Sequence, residues 1–157
     1  MKKVNRLLDA DETTLKEVRA IYAELSQRPI DRNCVRMKTC CHFKLTGRTP
    51  FLTKGEAIVA ARALRQAGRK RLPDAVGGAC PLLDQATGDC MIYESRPFGC
   101  RTHFCAAAGG PYARSEVIDL IRRLEELDAR LKGDGPRRIE VALSAALKRR
   151  REPATPP

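Results

Sequence analysis

The sequence predicts a mainly α, small single domain with helices around a cysteine-rich loop and short β-hairpin. Three observations predict it. Apolar residues recur every three to four positions in four separate stretches, the signature of amphipathic helices. Seven cysteines fall in two tight groups that lie between those stretches. The chain has 157 residues, 43% of them hydrophobic and 31% charged, which is enough to bury a core without covalent staples.

The first predicted helix covers residues 12–27, where Leu15, Val18, Tyr22 and Leu25 form a stripe between Lys16, Glu17, Arg19 and Glu24. Residues 29–50 show no period and read as a loop. A second helix starts at Thr53, because Thr53 and Glu56 have the spacing of a capping box. Ile58, Val59 and Leu64 supply its buried side, and Gly68 stops it. Residues 71–78 read as a loop. Cys80 to Tyr93 reads as a short hairpin turning at Thr87-Gly88-Asp89, and Arg96-Pro97-Phe98-Gly99 as a turn. A third helix is expected from Ser115, as N-cap, to about Lys132, and a fourth from Arg138 to Arg150. The domain therefore covers 1–150, with a disordered, proline-rich tail at 151–157.

No stretch approaches the roughly 20 apolar residues of a membrane span. The amino terminus lacks the apolar run of roughly 7–15 residues that an export signal needs. The expected location is cytoplasmic, where structural disulfides are rare and clustered thiols bind metal or do redox work. The first group is Cys34, Cys40 and Cys41; the second is Cys80, Cys90, Cys100 and Cys105. Thiols brought together from distant segments are what a soft metal ion or an iron–sulfur cluster requires. All seven are candidate metal ligands.

The spacing is specific. Cys34-Val-Arg-Met37-Lys-Thr-Cys40-Cys41 reads C-x-x-C-x-x-C-C with Met37 in the second slot, and Cys90-Met-Ile-Tyr-Glu-Ser-Arg-Pro-Phe-Gly-Cys100-Arg follows downstream. Together these resemble the CxxCxxCC cysteine-cluster family, the YkgJ-type zinc- or iron-chelating domains, over about residues 34–105. The resemblance implies a chelated zinc ion or iron–sulfur cluster, held by Cys34, Cys40, Cys41, Cys80, Cys90 and Cys100. Related sequences have been labelled iron–sulfur oxidoreductases or flagellin lysine N-methylase-like proteins. The chain has no radical-SAM C-x3-C-x2-C triplet to support the methylase label.

Several residues carry two readings. Met37 either packs as an adaptable core side chain or acts as a weak soft ligand. Cys105 replaces the missing thiolate or stays outside the site. His42 and His103 complete a mixed site or sit as half-exposed loop residues. Arg96 and Arg101 steady thiolates or pair with Glu94 and Asp89. Tyr93 is read as a packing residue, and Asp84 and Glu56 form no acid–base pair.

The net charge is +11. Arg62, Arg65 and Arg69 share one helix face, and Lys148 to Arg151 form a second basic cluster, so an acidic partner or nucleic acid is a candidate partner beside the metal ion. Only four Phe and three Tyr are present for stacking on bases. Three functions follow: a structural or accessory metal module, a metal-dependent redox enzyme, and a nucleic-acid-binding zinc module. No motif names a reaction.

Overall fold

The structure, a computed structural model, describes residues 2–28, 32–34 and 36–149. The predicted tail at 151–157 lies outside the described residues, as do Arg150 and Arg151 of the second basic cluster. The architecture is the mainly α one expected. Helices α1 (Lys2–Gln27), α2 (Phe43–Thr46), α3 (Lys54–Gln66), α4 (Phe98–Thr102), α5 (Arg114–Arg130) and α6 (Ile139–Lys148) account for most of the order. Two short strands, β1 (Phe51–Leu52) and β2 (Arg137–Arg138), pair antiparallel with Phe51 opposite Arg138. None of the described helices is long and apolar enough to cross a membrane.

Helix α3 is the pivot because it is apolar on two faces. Ala57, Ala60, Ala61 and Leu64 pack with Leu52, Ile139 and Leu143 in one core, while Val59 joins α1 and α5 in a second. The predicted α1 stripe of Leu15, Val18, Tyr22 and Leu25 is buried in that second core, opposite Leu120, Leu124 and Leu127 of α5. Small side chains let the helices approach. A Cβ on Gly55 would stand 3.1 Å from Leu127 and 3.2 Å from Val18, so glycine is what the first turn of α3 admits. Gly68, at φ 82, takes the left-handed conformation that ends α3.

Six elements differ from expectation. Within residues 29–50, read as a loop, a 3-10 turn forms at Thr39–Cys41 and the short helix α2 follows it. Helix α1 begins at Lys2, so the acidic run Asp9 to Glu12 continues the helix instead of preceding it. Helix α5 is capped at Ala113, not Ser115, because the Glu116 carboxylate reaches back to the Ala113 N–H at 2.7 Å. A side-chain acceptor at 113 is therefore missing. Ala113→Asp is expected to stabilise the fold by about 0.5–1 kcal/mol, read as a higher denaturant midpoint with unchanged slope. The segment around Arg137 and Arg138 pairs as strand before α6 starts.

The hairpin expected at Cys80–Tyr93 shrinks to one isolated bridge, Leu83 to Cys90. Asp84 is responsible: its carboxylate accepts from the N–H groups of Ala86 at 2.9 Å and Thr87 at 3.0 Å, tightening the turn until little ladder remains. The turn expected at Arg96–Gly99 is instead the entry to α4. Its first residue, Phe98, donates its N–H to the buried Glu56 carboxylate at 2.8 Å, an acceptor 42 positions away that local pattern does not reveal.

The basic residues expected on one face of α3 are tied down within the molecule, and Arg69 lies beyond the helix end at Gln66. Arg62 pairs with Glu12, Arg69 lies 3.8 Å from Asp84, and Arg65 donates to the Ala146 and Leu147 carbonyls at the end of α6 at 3.2 and 3.1 Å.

Candidate metal centre

Backbone bonds bring the two cysteine groups together. Cys40 and Cys41 sit on a 3-10 turn, Thr39–Cys41, entered through Lys38 in the left-handed conformation at φ 63. The Cys41 carbonyl accepts the Cys80 N–H at 2.6 Å, which sets the first group against the second. Cys90 lies opposite Leu83, three residues beyond Cys80, through the bridge described above. Lys38 Nζ reaches Asp89 Oδ1 at 2.8 Å and fastens the turn beside Cys90. Cys100 arrives on α4, whose start is fixed by Glu56.

The outcome is one cleft of about 640 Å³ with Cys34, Cys40, Cys41, Cys80, Cys90 and Cys100 on its wall. All seven cysteines are free thiols. Cys105, on the N-terminal side of a 3-10 turn at Ala106–Ala108, does not line the cleft. Met37 is 59% exposed and also lies off the wall, so it is not the core side chain that the sequence suggests. His103 lines the cleft and His42 does not.

The thiols differ in electrostatic setting. The Cys41 thiol donates to the Cys40 sulfur, and this outweighs burial; with help from their N–H groups and from Arg96 it brings Cys40 down to about 6. Cys41 is pushed up by the same bond, by burial, and by Cys40, Cys80 and Cys100 nearby. Burial, with Cys90, Glu140 and Cys40 adding to it, pushes Cys80 up to about 12. Burial also raises Cys90 and Cys100, each with other thiols contributing. Cys40, Cys41, Cys80, Cys90 and Cys100 thus sense one another across the cleft.

Cys34 stands differently. Burial raises it, but hydrogen bonds from Tyr93, the Arg36 N–H and Arg96 prevail and hold it low. The Tyr93 ring lies between two guanidinium groups, 4.2 Å from Arg36 and 3.7 Å from Arg96. Tyr93 is therefore more than packing, and Arg36 is a cleft residue the sequence reading passed over. Its only sequence signal is its position between Cys34 and Cys40. Arg96 carries the thiolate-facing charge. Arg101 does other work: it donates to the Arg96 and Glu94 carbonyls at 2.7 and 2.6 Å and covers the Tyr22 ring at 4.2 Å. Neither arginine forms the carboxylate pair considered for it among the described residues.

Among the described residues, no three Cys, His, Asp or Glu side chains stand as a ready-made set of ligands around one point. The sulfurs share a wall without converging on a single point among the described residues. The donor set itself fits a thiophilic ion: six sulfurs line the cleft where a tetrahedral site takes four, and a guanidinium offsets thiolate charge.

The fold and this cleft define a small helical protein with a thiol-lined centre. The chain belongs to the CxxCxxCC family, described as a "Putative zinc- or iron-chelating domain", which matches residues 32–122. Membership supports metal binding in general. Neither a curated protein nor a solved structure matches the chain.

Proposed function

We propose that the protein binds zinc or an iron–sulfur cluster through the cleft thiols, in a structural or accessory role. The supporting observation is the Cys41 carbonyl to Cys80 N–H bond, which makes one wall of two cysteine groups that are remote in sequence. Cys40, Cys41, Cys80, Cys90 and Cys100 are the proposed ligands, and Cys34, held by Tyr93 and Arg96, flanks them. Free thiols in this number suit a reducing cytoplasm. Zinc would supply charge neutralisation and cross-linking; an iron–sulfur cluster would add electron transfer.

The chain's own residues prepare for either. Cys40 already tends toward the thiolate, the form that coordinates. Lys38 and Asp89 hold its turn, and Arg96 offsets negative charge. An open cleft larger than a closed four-thiolate site needs favours a second reading, a redox enzyme.

Anaerobic purification followed by elemental analysis and a visible spectrum tests both. Stoichiometric zinc without colour is the expected signature of a structural module; iron with visible absorbance that bleaches on reduction marks the redox reading. Protein that retains neither metal after incubation with each would overturn the proposal.

A further inference from the structure

The basic residues expected on α3 are occupied, and uncompensated positive charge gathers instead around the β1–β2 pair. Phe51 stands directly opposite Arg138, and Leu52 opposite Arg137. Successive residues of a strand point to opposite faces. Leu52 accordingly goes into the core at 1% exposure, and Phe51 faces outward at 56%. Phe51 is the one exposed aromatic among the described residues; the other rings are buried or half-buried.

Three exposed arginines are tied to that ring by strand pairing and a hydrogen bond. Arg138 is its cross-strand neighbour, a relation that sets Cβ atoms about 4.5–5.5 Å apart. Arg138 Nη2 donates to Thr49 Oγ1 at 3.4 Å, which lays the guanidinium beside the chain two residues before Phe51. Arg48 adjoins Thr49, and Arg137 adjoins Arg138. The Ile139 N–H, donating to the Pro50 carbonyl at 3.0 Å, holds the two segments together.

Acidic side chains offset little of this charge. Arg138 Nε lies 4.0 Å from Glu140 Oε2, a long ion pair between part-exposed groups. Arg48 Nη1 meets His103 Nδ1 at 3.0 Å, a ring that brings no negative charge. Neither Arg48 nor Arg137 forms an ion pair among the described residues.

Guanidinium groups pair with phosphate through parallel hydrogen bonds, and an exposed phenyl face stacks on a base whatever its identity. The net charge of +11 adds long-range attraction for a polyanion. An acidic peptide would use the arginines and leave the ring without a flat partner, and a duplex hides its base faces. We propose that the β1–β2 surface binds single-stranded nucleic acid, with a base stacked on Phe51 and backbone phosphates on Arg48, Arg137 and Arg138. This goes beyond the metal reading and does not rest on it.

Fluorescence anisotropy of the full chain with labelled oligothymidylate, an abasic strand of equal length, a duplex and polyglutamate tests it. Oligothymidylate is expected to bind tightest. Three phosphate contacts on a single strand give a slope of log affinity on log salt of about −2, so raising salt from about 50 to about 200 mM should weaken binding about twentyfold. Phe51→Ala should weaken oligothymidylate at least about fivefold and leave the abasic strand unchanged, whereas Phe51→Tyr should bind like the wild type. Arg48→Gln, Arg137→Gln and Arg138→Gln should each reduce the slope by about 0.7. All four positions are exposed, so the fold should tolerate these changes. Arg122→Gln, exposed on α5, removes the same charge and should leave the slope unchanged. Equal binding of the abasic strand, tighter binding of duplex or polyglutamate, undiminished binding by Phe51→Ala, an Arg122→Gln effect matching that of Arg138→Gln, or no binding at about 50 mM salt would each overturn the assignment. Metal content of the same samples is read separately, so the failure of either proposal leaves the other standing.

Discussion

Cys80→Ser is expected to strip the protein of metal and to lower its stability by at least about 3 kcal/mol, or about 6–12 °C in Tm for a chain of this size. Cys80 is a buried residue where the other six cysteines are half-buried, and its N–H is the one bonded to the Cys41 carbonyl. A structural zinc site is worth about 10–16 kcal/mol in apparent terms at neutral pH, so forfeiting one of its thiolates removes a large share. Packing loss is separable from metal loss. In excess chelator the wild type should fall toward the variant, because both then lack the ion. A wild type that melts at the same temperature with and without chelator would refute the link between metal and stability. Cys105→Ser is the internal control: its thiol is off the cleft wall, and metal content should not change.

Glu56→Ala is expected to cost about 3–5 kcal/mol, because it strands several buried donors at once. The Glu56 carboxylate accepts from the Thr53 N–H at 2.9 Å, the Thr53 hydroxyl at 2.8 Å, the Phe98 N–H at 2.8 Å and the Tyr22 hydroxyl at 3.3 Å. One side chain thereby joins α1, the start of α3 and the start of α4, which carries Cys100. Glu56→Gln keeps the shape but one fewer strong acceptor, and should cost less.

The pair also predicts a pH dependence. Burial raises the Glu56 carboxyl above its ordinary 4.5, with the bonds from Thr53 and Phe98 opposing it. A raised value means that the folded state holds the proton more tightly than the unfolded chain. This group's favourable contribution is therefore complete below the unfolded value and is lost as pH rises through the folded one. Relative to Glu56→Gln, the wild type should gain stability as pH falls from 7 toward 4.5. Denaturant midpoints of both proteins across that window check the sign, and a constant difference would show that Glu56 does not titrate there.

The helices were legible because their signals are local. The stripe from Leu15 to Leu25 and the capping box at Thr53 each depend on neighbours within one or two turns, and both are present. The misreadings have two causes, a partner remote in sequence and a nearby side chain recruited in place of the expected one. Ser115 is a good N-cap residue in isolation, but Glu116 shifted the cap to Ala113. Arg96-Pro97-Phe98-Gly99 is a plausible turn until Glu56 takes the Phe98 N–H and starts α4. The arginine stripe looks free along the sequence, yet Glu12, Asp84 and the end of α6 occupy it.

Thiol type and spacing were determined by the sequence alone, and with them the family and the general chemistry, because soft-metal affinity belongs to sulfur itself. Which thiols face one another was decided by tertiary structure: Cys105 and Met37 fall away from the wall, while Tyr93, Arg36 and Arg96 come to Cys34. The physical reason is range. Helix periodicity and capping act over a few residues, whereas a cleft is made by hydrogen bonds such as Cys41 to Cys80 and Glu56 to Phe98, whose partners meet only once the two cores have packed.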